Sequence, residues 1–393
     1  MKILIADKVA DEMITRLGAF GAVDYNPDVT AENLAGATGD AAVLIVRSKK
    51  VTAKTINAAT HLSLVIRAGA GVNTIDLRAA SSRGIYVANC PGMNTDAVAE
   101  LATGMLIAVD RGIADATLAL RSGKWQKERF GKAKGLKGRM IGIVGTGQIG
   151  LAVAKRARAL EMEVVAWSRS LTPKRAKELG IEYAATLKEL AERSDAVTIH
   201  LALADETKGL IGEQFFAAMK PEAIFLNTSR GEIVDHAALM KAISGKGIRA
   251  GLDVFDKEPA GGEAAFDQTA LASAVTCTPH IGASTDQATE AIANEVFNIV
   301  RSFAETGRPT NVVNLRAPAK DETKLVVRHF NRVGVLSRVL TKLRDEGINI
   351  EEMQNSIFET NLAACCSLSL DKRPSEATLK ALEGDPDIIE ITL

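Results

Sequence analysis

Three segments in the second half of the chain each place a reactive side chain directly after a short apolar run. They are Asn227-Thr228-Ser229-Arg230-Gly231, Asp253-Val254-Phe255-Asp256-Lys257-Glu258-Pro259 and Thr278-Pro279-His280-Ile281-Gly282. Each run reads as a strand, and strand ends of one sheet are where α/β proteins assemble their sites. Together they supply an Arg, a carboxylate and a His, the parts that a hydride transfer between a nicotinamide and a 2-oxo acid requires. A proton must reach or leave the carbonyl oxygen, and His suits that task near neutral pH. A carboxylate orients the ring and favours its charged form. A guanidinium holds a substrate carboxylate by paired hydrogen bonds and polarises the carbonyl. Each residue has an ordinary alternative: a strand-end cap for Arg230, a surface pair for Glu258, a structural histidine for His280. Their coincidence at three strand ends beside a cofactor loop favours chemistry. His61 lies in a polar stretch, His236 at a helix start, and His200 at a strand end without such partners, where it reads as packing.

The cofactor loop is Gly145-Thr146-Gly147-Gln148-Ile149-Gly150, which follows the strand RMIGIV and opens an Ala-rich helix. Gly145 permits the tight turn, Gly147 lets backbone approach a pyrophosphate, and Gly150 allows close helix–strand packing. The N–H groups at the helix start, around Gln148 and Ile149, face the phosphates. The next strand ends VVAWSRS, so Ser168 and Arg169 stand where an acid would grip the adenosine ribose. An Arg without that acid suits a 2′-phosphate, and NAD and NADP both stay open.

The elements that must position these residues alternate along 393 residues, of which 47% are hydrophobic, ample for folded cores. With 48 basic against 48 acidic residues, no protein-wide attraction to nucleic acid or an anionic membrane is expected. The start lacks a signal-peptide core, no apolar run reaches a membrane span, and a cytoplasmic location is expected. Cys90, Cys277, Cys365 and Cys366 form no CxxC pair, and no metal site is expected. Early strands are predicted at Lys2–Ala6, Ala42–Val46, Leu64–Arg67 and Tyr86–Asn89, then a long helix from Thr95 to about Ala119. A second series runs Arg139–Val144, Val164–Trp167, Ala196–Leu201, Ala223–Asn227, Arg249–Val254 and Ala274–Cys277, with helices between most of them. That is the order of a doubly wound parallel sheet. A helix near Ser284–Thr306 leads to a linker at Gly307–Lys320, and the remainder reads β-α-β-β-α-β, a ferredoxin-like unit.

The stretches VRSKKVTAKTINAA, RAGAGVNTIDLRAASSRGIYVANCPGMNTDAVAELATGM, KWQKERFGKAKGLKGRMIGIVGTGQIG, NTSRGEIVD, GLDVFDKEP and TPHIGASTDQA resemble, in this order, D-isomer-specific 2-hydroxyacid dehydrogenases. The resemblance implies a flavodoxin-like substrate domain from residues 1–99 and 284–315 and a Rossmann NAD(P) domain at 100–283. It makes Arg230, Glu258 and His280 catalytic, and places Asp253 at the nicotinamide. Leu201, Thr228, Ser229 and Gly282 become further cofactor contacts. Arg47 and Arg67 become substrate-phosphate residues, with Gly69, Ala70, Gly71 and Asn94 around the substrate. The backbone N–H groups of the Ala68–Asn73 loop would meet its carboxylate. Lys49, Lys50 and Arg129 add local positive charge, and the two lysines read as ordinary surface residues. Ala70 replaces a usual Thr or Ser, and HLALADETKGLI lacks a usual Pro.

Within the family the likeness is nearest to members that oxidise D-3-phosphoglycerate to 3-phosphohydroxypyruvate, the first step of L-serine synthesis. Glyoxylate/hydroxypyruvate reductase is the nearer alternative, and a dinucleotide-sensing corepressor the remote one. Residues 322–393 resemble an ACT regulatory domain, carried by His329-Phe330-Asn331-Arg332-Val333-Gly334-Val335-Leu336 and Glu346-Gly347-Ile348-Asn349-Ile350. By that likeness His329, Asn331 and Asn349 would bind L-serine between paired domains, although Val333 stands where Pro is usual. Assembly alone is the other reading of this unit. A homodimer or homotetramer is expected.

Overall fold

Runs rich in Val, Ile and Leu make strands here because branched side chains suit a pleated surface covered on both faces. The computed structural model describes residues 1–259, 263–316 and 323–393. Its first sheet holds β1 (Lys2–Ile5), β2 (Ala22–Tyr25), β3 (Val43–Val46), β4 (Leu64–Arg67) and β5 (Tyr86–Asn89). They are parallel and ordered β2-β1-β3-β4-β5, the flavodoxin-like winding. Alternation sends Ile3, Ile5, Val43 and Ile45 to the face covered by Ile292, Val296, Ile299 and Val300 of the helix Asp286–Thr306. Leu4, Leu44 and Val46 point into a second core on the other face.

The second sheet holds β6 (Met140–Val144), β7 (Glu163–Trp167), β8 (Glu182–Tyr183), β9 (Ala196–Ile199), β10 (Ile224–Asn227), β11 (Arg249–Leu252) and β12 (Thr276–Cys277). Its order is β12-β11-β10-β9-β6-β7-β8, again parallel. Strand order reverses between β6 and β9, which opens a crevice at their carboxyl ends. Ala99, Ala102, Met105, Leu106 and Val109 of the helix Thr95–Arg111 cover one face.

Several local expectations change. Strands β2 and β8 escape the sequence pattern because both are short, largely exposed edges. The long helix expected over Thr95–Ala119 breaks at Gly112, whose φ of 61° is left-handed. A residue without Cβ takes that conformation freely and ends the first helix. The helix after it, Ile113–Arg121, buries no residue. Strands β9 and β11 stop two residues before their predicted ends, where the chain turns out toward the crevice. The expected linker is partly anchored: Val313 N–H donates to Val87 O at 2.8 Å and Asn314 Nδ2 to Ile85 O at 2.8 Å. Its residues 317–320, and the residue 322 expected to open the last domain, lie outside the described residues.

The chain divides into two units, Met1–Leu315 and Arg316–Leu393. The second unit runs β13 (Thr323–Phe330), helix Val335–Asp345, β14 (Ile350–Ile357), β15 (Ala363–Leu370), helix Glu376–Glu383 and β16 (Ile388–Thr392). Its antiparallel sheet is ordered β14-β15-β13-β16. Leu325, Val327, Cys366, Leu368 and Leu370 pack under Val339, Leu343, Leu379 and Leu382. Cys366 is thus core, with Cys365 on the other face. Among the described residues, no helix is long and apolar enough to cross a membrane.

Candidate active site

Asn227, buried at the end of β10, shapes the loop that carries Arg230. Its Oδ1 accepts from Ser229 N–H at 3.0 Å and Ser229 Oγ at 2.7 Å, while its Nδ2 donates to Arg230 O at 2.8 Å. Gly231 lies so close to the next loop that a Cβ would sit 2.2 Å from the Phe255 carbonyl carbon. That contact docks the Arg230 loop against the Glu258 loop. Glu258 Oε1 accepts from Phe255 N–H at 2.9 Å, and its Oε2 lies 2.5 Å from His280 Nδ1. Only this nitrogen of the partly exposed His280 ring is engaged by Glu258. Burial alone would raise the Glu258 pKa. The hydrogen bonds from His280 and Phe255, with the charges of His280 and Arg230, outweigh burial and hold it below its ordinary value. An ionised Glu258 therefore stands ready to stabilise an imidazolium.

Asp253, expected at the nicotinamide, has both oxygens engaged within the His280 turn. Oδ1 accepts from Thr278 Oγ1 at 2.6 Å and Ile281 N–H at 2.8 Å, and Oδ2 from Gly282 N–H at 2.9 Å. Burial raises its pKa against those three hydrogen bonds and the charge of His280.

On the substrate side, Arg67 ends β4 and donates from Nε to Arg47 O at 3.0 Å. Its guanidinium lies over Gly69, where a Cβ would stand 1.8 Å from Nη1. The Arg230 guanidinium lies likewise over Gly71, 2.4 Å from a Cβ there. The glycines of this loop thus make room for cations. Ala70 O accepts from Asn89 Nδ2 at 2.5 Å, which holds the loop to β5. Burial pulls the Arg67 pKa down to about 10, with the charges of Arg230 and Arg47 adding to the effect. The Arg67 and Arg230 guanidiniums thus lie over one glycine loop, and the positive charge of Arg47 reaches Arg67. Lys49 does not join them, because its Nζ is held by Pro27 O at 2.7 Å and Asp7 Oδ1 at 3.3 Å. Arg129 turns to Gln126 and Phe130, and Lys50 is exposed. Asn94 stands at the start of the helix Thr95–Arg111.

Gly145 follows β6 with φ 102°, a value that favours glycine, and a Cβ there would meet His200 O at 2.4 Å and Leu201 Cδ2 at 3.0 Å. A Cβ on Gly150 would lie 1.9 Å from Gly145 O, so helix and strand meet there. Gly147 faces open space, where a Cβ would meet nothing within 4 Å. That open space lies at the start of the helix Gln148–Ala159, where backbone N–H groups favour an anion. Thr228 Oγ1 is buried without a hydrogen-bond partner, a polar atom that a bound dinucleotide could satisfy. Ser168 and Arg169 directly follow β7, and Arg169 is exposed. Sequence reasoning missed the reach of Gln148, whose amide packs over Gly92 and meets Thr95 Oγ1 at 3.5 Å. No spacing rule signals such a contact between distant loops.

Among the other histidines, His61 is exposed and His200 is packed beside the glycine turn, with Nε2 2.9 Å from Thr198 Oγ1. His236 Nδ1 lies 3.2 Å from Asp256 Oδ2. In the second unit His329 is buried, with Nδ1 2.8 Å from Phe330 O and Nε2 3.3 Å from Asn355 Oδ1. Asn331 donates to Asn361 O, and Asn349 donates to Glu351. Strand register puts Asn349 near the Thr323 end of β13 and His329 near the other end, so one copy does not gather the three residues. Among the described residues, no three metal-ligating side chains cluster.

A parallel sheet with a glycine turn at its switch point, and an Arg, Glu and His at neighbouring strand ends, defines a nicotinamide-dependent oxidoreductase. The chain belongs to the D-isomer-specific 2-hydroxyacid dehydrogenases. Residues 103–282 match the family described as "D-isomer specific 2-hydroxyacid dehydrogenase, NAD binding domain". The chain is 34% identical over 356 residues to the D-3-phosphoglycerate dehydrogenase of Methanocaldococcus jannaschii, covering 90% of this chain and 67% of the relative. It is 41% identical over 282 residues to the glyoxylate reductase of Thermococcus litoralis, covering 70% of this chain and 83% of that enzyme. It spans only 56–64% of several other D-3-phosphoglycerate dehydrogenases that it matches. The NADPH-dependent glyoxylate/hydroxypyruvate reductase of Sinorhizobium meliloti, solved with NADP and malonate, superposes with a TM-score of 0.68 at 28% identity, covering 81% of this chain and 99% of that one. The protein is thus an NAD(P)-dependent D-2-hydroxyacid dehydrogenase acting on a small 2-hydroxy or 2-oxo acid.

Proposed function

We propose that the chain oxidises D-3-phosphoglycerate to 3-phosphohydroxypyruvate, the first step of L-serine biosynthesis. The observation that carries this reading is that the Arg67 and Arg230 guanidiniums lie over one loop, at Gly69 and Gly71, with Arg67 Nε bonded to Arg47 O. A simple 2-hydroxy acid has one anionic group and needs one guanidinium. Two further guanidiniums suit a second anion such as a phosphate. The match to the Methanocaldococcus enzyme also covers more residues than Met1–Leu315 contains, so it runs into the second unit.

The bound dinucleotide supplies the hydride acceptor. Arg230 binds the substrate carboxylate, and Arg47 and Arg67 bind the phosphate. His280 Nε2 takes the C2 hydroxyl proton as the C2 hydride leaves, and the O–H electron pair becomes the second bond of the carbonyl. Glu258 stabilises the resulting imidazolium across the 2.5 Å contact. In the reverse direction the same imidazolium returns the proton.

The domains in this reading are 1–99 with 284–315 for substrate, 100–283 for NAD(P), and an ACT domain from 322 onward. L-Serine is its proposed effector, held by His329 and Asn331 of one copy with Asn349 of another, since within one copy Asn349 stands by one end of β13 and His329 by the other. Assembly as a homodimer or homotetramer would cover the helix Ile113–Arg121 and Trp125, which is 81% exposed. The enzyme is placed in the cytoplasm, with no role on nucleic acid or membrane.

A second reading, an NADPH-dependent glyoxylate/hydroxypyruvate reductase, draws on Ser168 and the exposed Arg169 in place of a ribose-binding acid. One reductase assay tests both. 3-Phosphohydroxypyruvate and hydroxypyruvate are compared with NADH and with NADPH. Strong preference for the phosphorylated substrate is the expected result. Equal or better turnover of hydroxypyruvate, above all with NADPH, replaces the first reading with the second.

A further inference from the structure

Asp7, two residues beyond β1, has no role in the site as described so far, yet its carboxylate ties together the backbone that presents Arg47. Its Oδ2 accepts three successive amides, Arg47 N–H at 2.6 Å, Ser48 N–H at 3.0 Å and Lys49 N–H at 3.2 Å. Its Oδ1 takes Lys49 Nζ at 3.3 Å. The side chain is only 14% exposed, so these bonds are shielded from competing water. The next link is Arg47 O, which accepts from Arg67 Nε at 3.0 Å. A chain of directional bonds thus runs from Asp7 through the Arg47 main chain to the Arg67 guanidinium.

We propose that Asp7 is a positioning residue that sets specificity for the second anionic group of the substrate, by holding Arg47 and Arg67 in register. The proposal rests on the reading of those arginines as the phosphate site. Three consecutive N–H groups turned toward one point form a concavity that binds anions. Here the protein's own carboxylate fills it. The amides of this turn are therefore unavailable to a substrate phosphate, and recognition falls to the guanidinium side chains. The same carboxylate offsets part of the repulsion in the cluster, since the charge of Asp7 acts on Arg67 against those of Arg230 and Arg47.

The test compares kcat/KM for 3-phosphohydroxypyruvate and hydroxypyruvate in the full-length wild type, Asp7→Ala, Asp7→Asn and Arg47→Ala. In Asp7→Ala the ratio of phosphorylated to unphosphorylated substrate should fall at least about tenfold, since a charge-assisted bond to phosphate is worth that much or more. The loss should lie in KM, with KM for the dinucleotide unmoved. Asp7→Asn keeps one acceptor oxygen and should fall between Asp7→Ala and wild type; Arg47→Ala sets the scale for a lost phosphate contact. A wild type without preference for the phosphorylated substrate removes the phosphate reading, and this proposal with it. A selective wild type whose Asp7→Ala keeps its ratio within about twofold, or loses both substrates equally, overturns the Asp7 proposal alone. Should Asp7→Ala fail to fold, the ratio in Asp7→Asn decides by the same criterion.

Discussion

The main-chain amide of His280 donates to the carbonyl of Asp253 at 2.8 Å, and the Asp253 carboxylate collects three more donors of the same turn. His280 has φ 53°, in the left-handed region that non-glycine residues seldom occupy. Such a conformation persists only when its surroundings over-determine it. Asp253 does so here, and the ring then meets Glu258 through Nδ1.

Removing either residue should separate chemistry from binding. His280→Ala is expected to lower kcat by about 10²–10⁴, the usual contribution of a general acid–base, while dinucleotide binding measured by fluorescence stays near wild type. Asp253→Ala removes the buried acceptor of three donors of this turn, of which the Gly282 N–H is buried and costs about 1–3 kcal/mol when left unpaired. A urea melt should show that loss and steady-state kinetics a lower kcat; an unchanged kcat would show that His280 holds its place without Asp253.

Two glycines of the cofactor turn should fail in different ways. Gly147→Ala adds a methyl where nothing lies within 4 Å, so it should melt like wild type yet bind dinucleotide at least about tenfold more weakly. Gly150→Ala drives a methyl to 1.9 Å from Gly145 O and should lower the melting temperature itself. Calorimetry with a dinucleotide titration distinguishes them, and unaltered affinity in Gly147→Ala would remove that residue from the pyrophosphate site.

Arg169→Asp places a carboxylate after β7, where ribose hydroxyls would be held and a 2′-phosphate repelled. The ratio of kcat/KM with NADPH to that with NADH should drop at least about tenfold, one charge-assisted contact being lost and a repulsion gained. An unmoved ratio would mark Arg169 as a solvated side chain with no part in cofactor choice.

His200 gives the fold a specific pH dependence. Burial pushes its pKa from 6.5 down to about 4, so the unfolded chain binds a proton more readily than the folded one. The stability this group contributes is complete above about pH 6.5 and declines as the pH falls toward 4, by on the order of 3 kcal/mol. Urea unfolding at pH 7.5 and 5 should show a smaller decline in His200→Gln than in wild type. Equal declines would place the acid sensitivity elsewhere.

Much of this site was legible without coordinates because its signals are local. A glycine turn needs only adjacent residues, and Arg230, Glu258 and His280 each follow an apolar run that winding brings to one sheet edge. Strands β3 and β4 were readable for the same reason, since burial on both faces demands continuous apolar runs. Edge strands β2 and β8 carry no such demand and left no pattern. The break at Gly112 was equally hidden, because a glycine inside an apolar helical stretch is compatible with either continuing or stopping.

What the sequence by itself determined is therefore the chemistry on offer: which side chains stand at which strand ends, and that a dinucleotide loop accompanies them. The tertiary structure decided how they are held. Asp253 turned out to build the His280 turn, Lys49 to be tied to Asp7, and Arg67 and Arg230, distant in the chain, to lie over one glycine loop. Hydrogen bonds are directional and short-ranged. Which donor meets which carboxylate depends on ångström-scale approach between distant segments, and residue type and spacing carry no record of that approach.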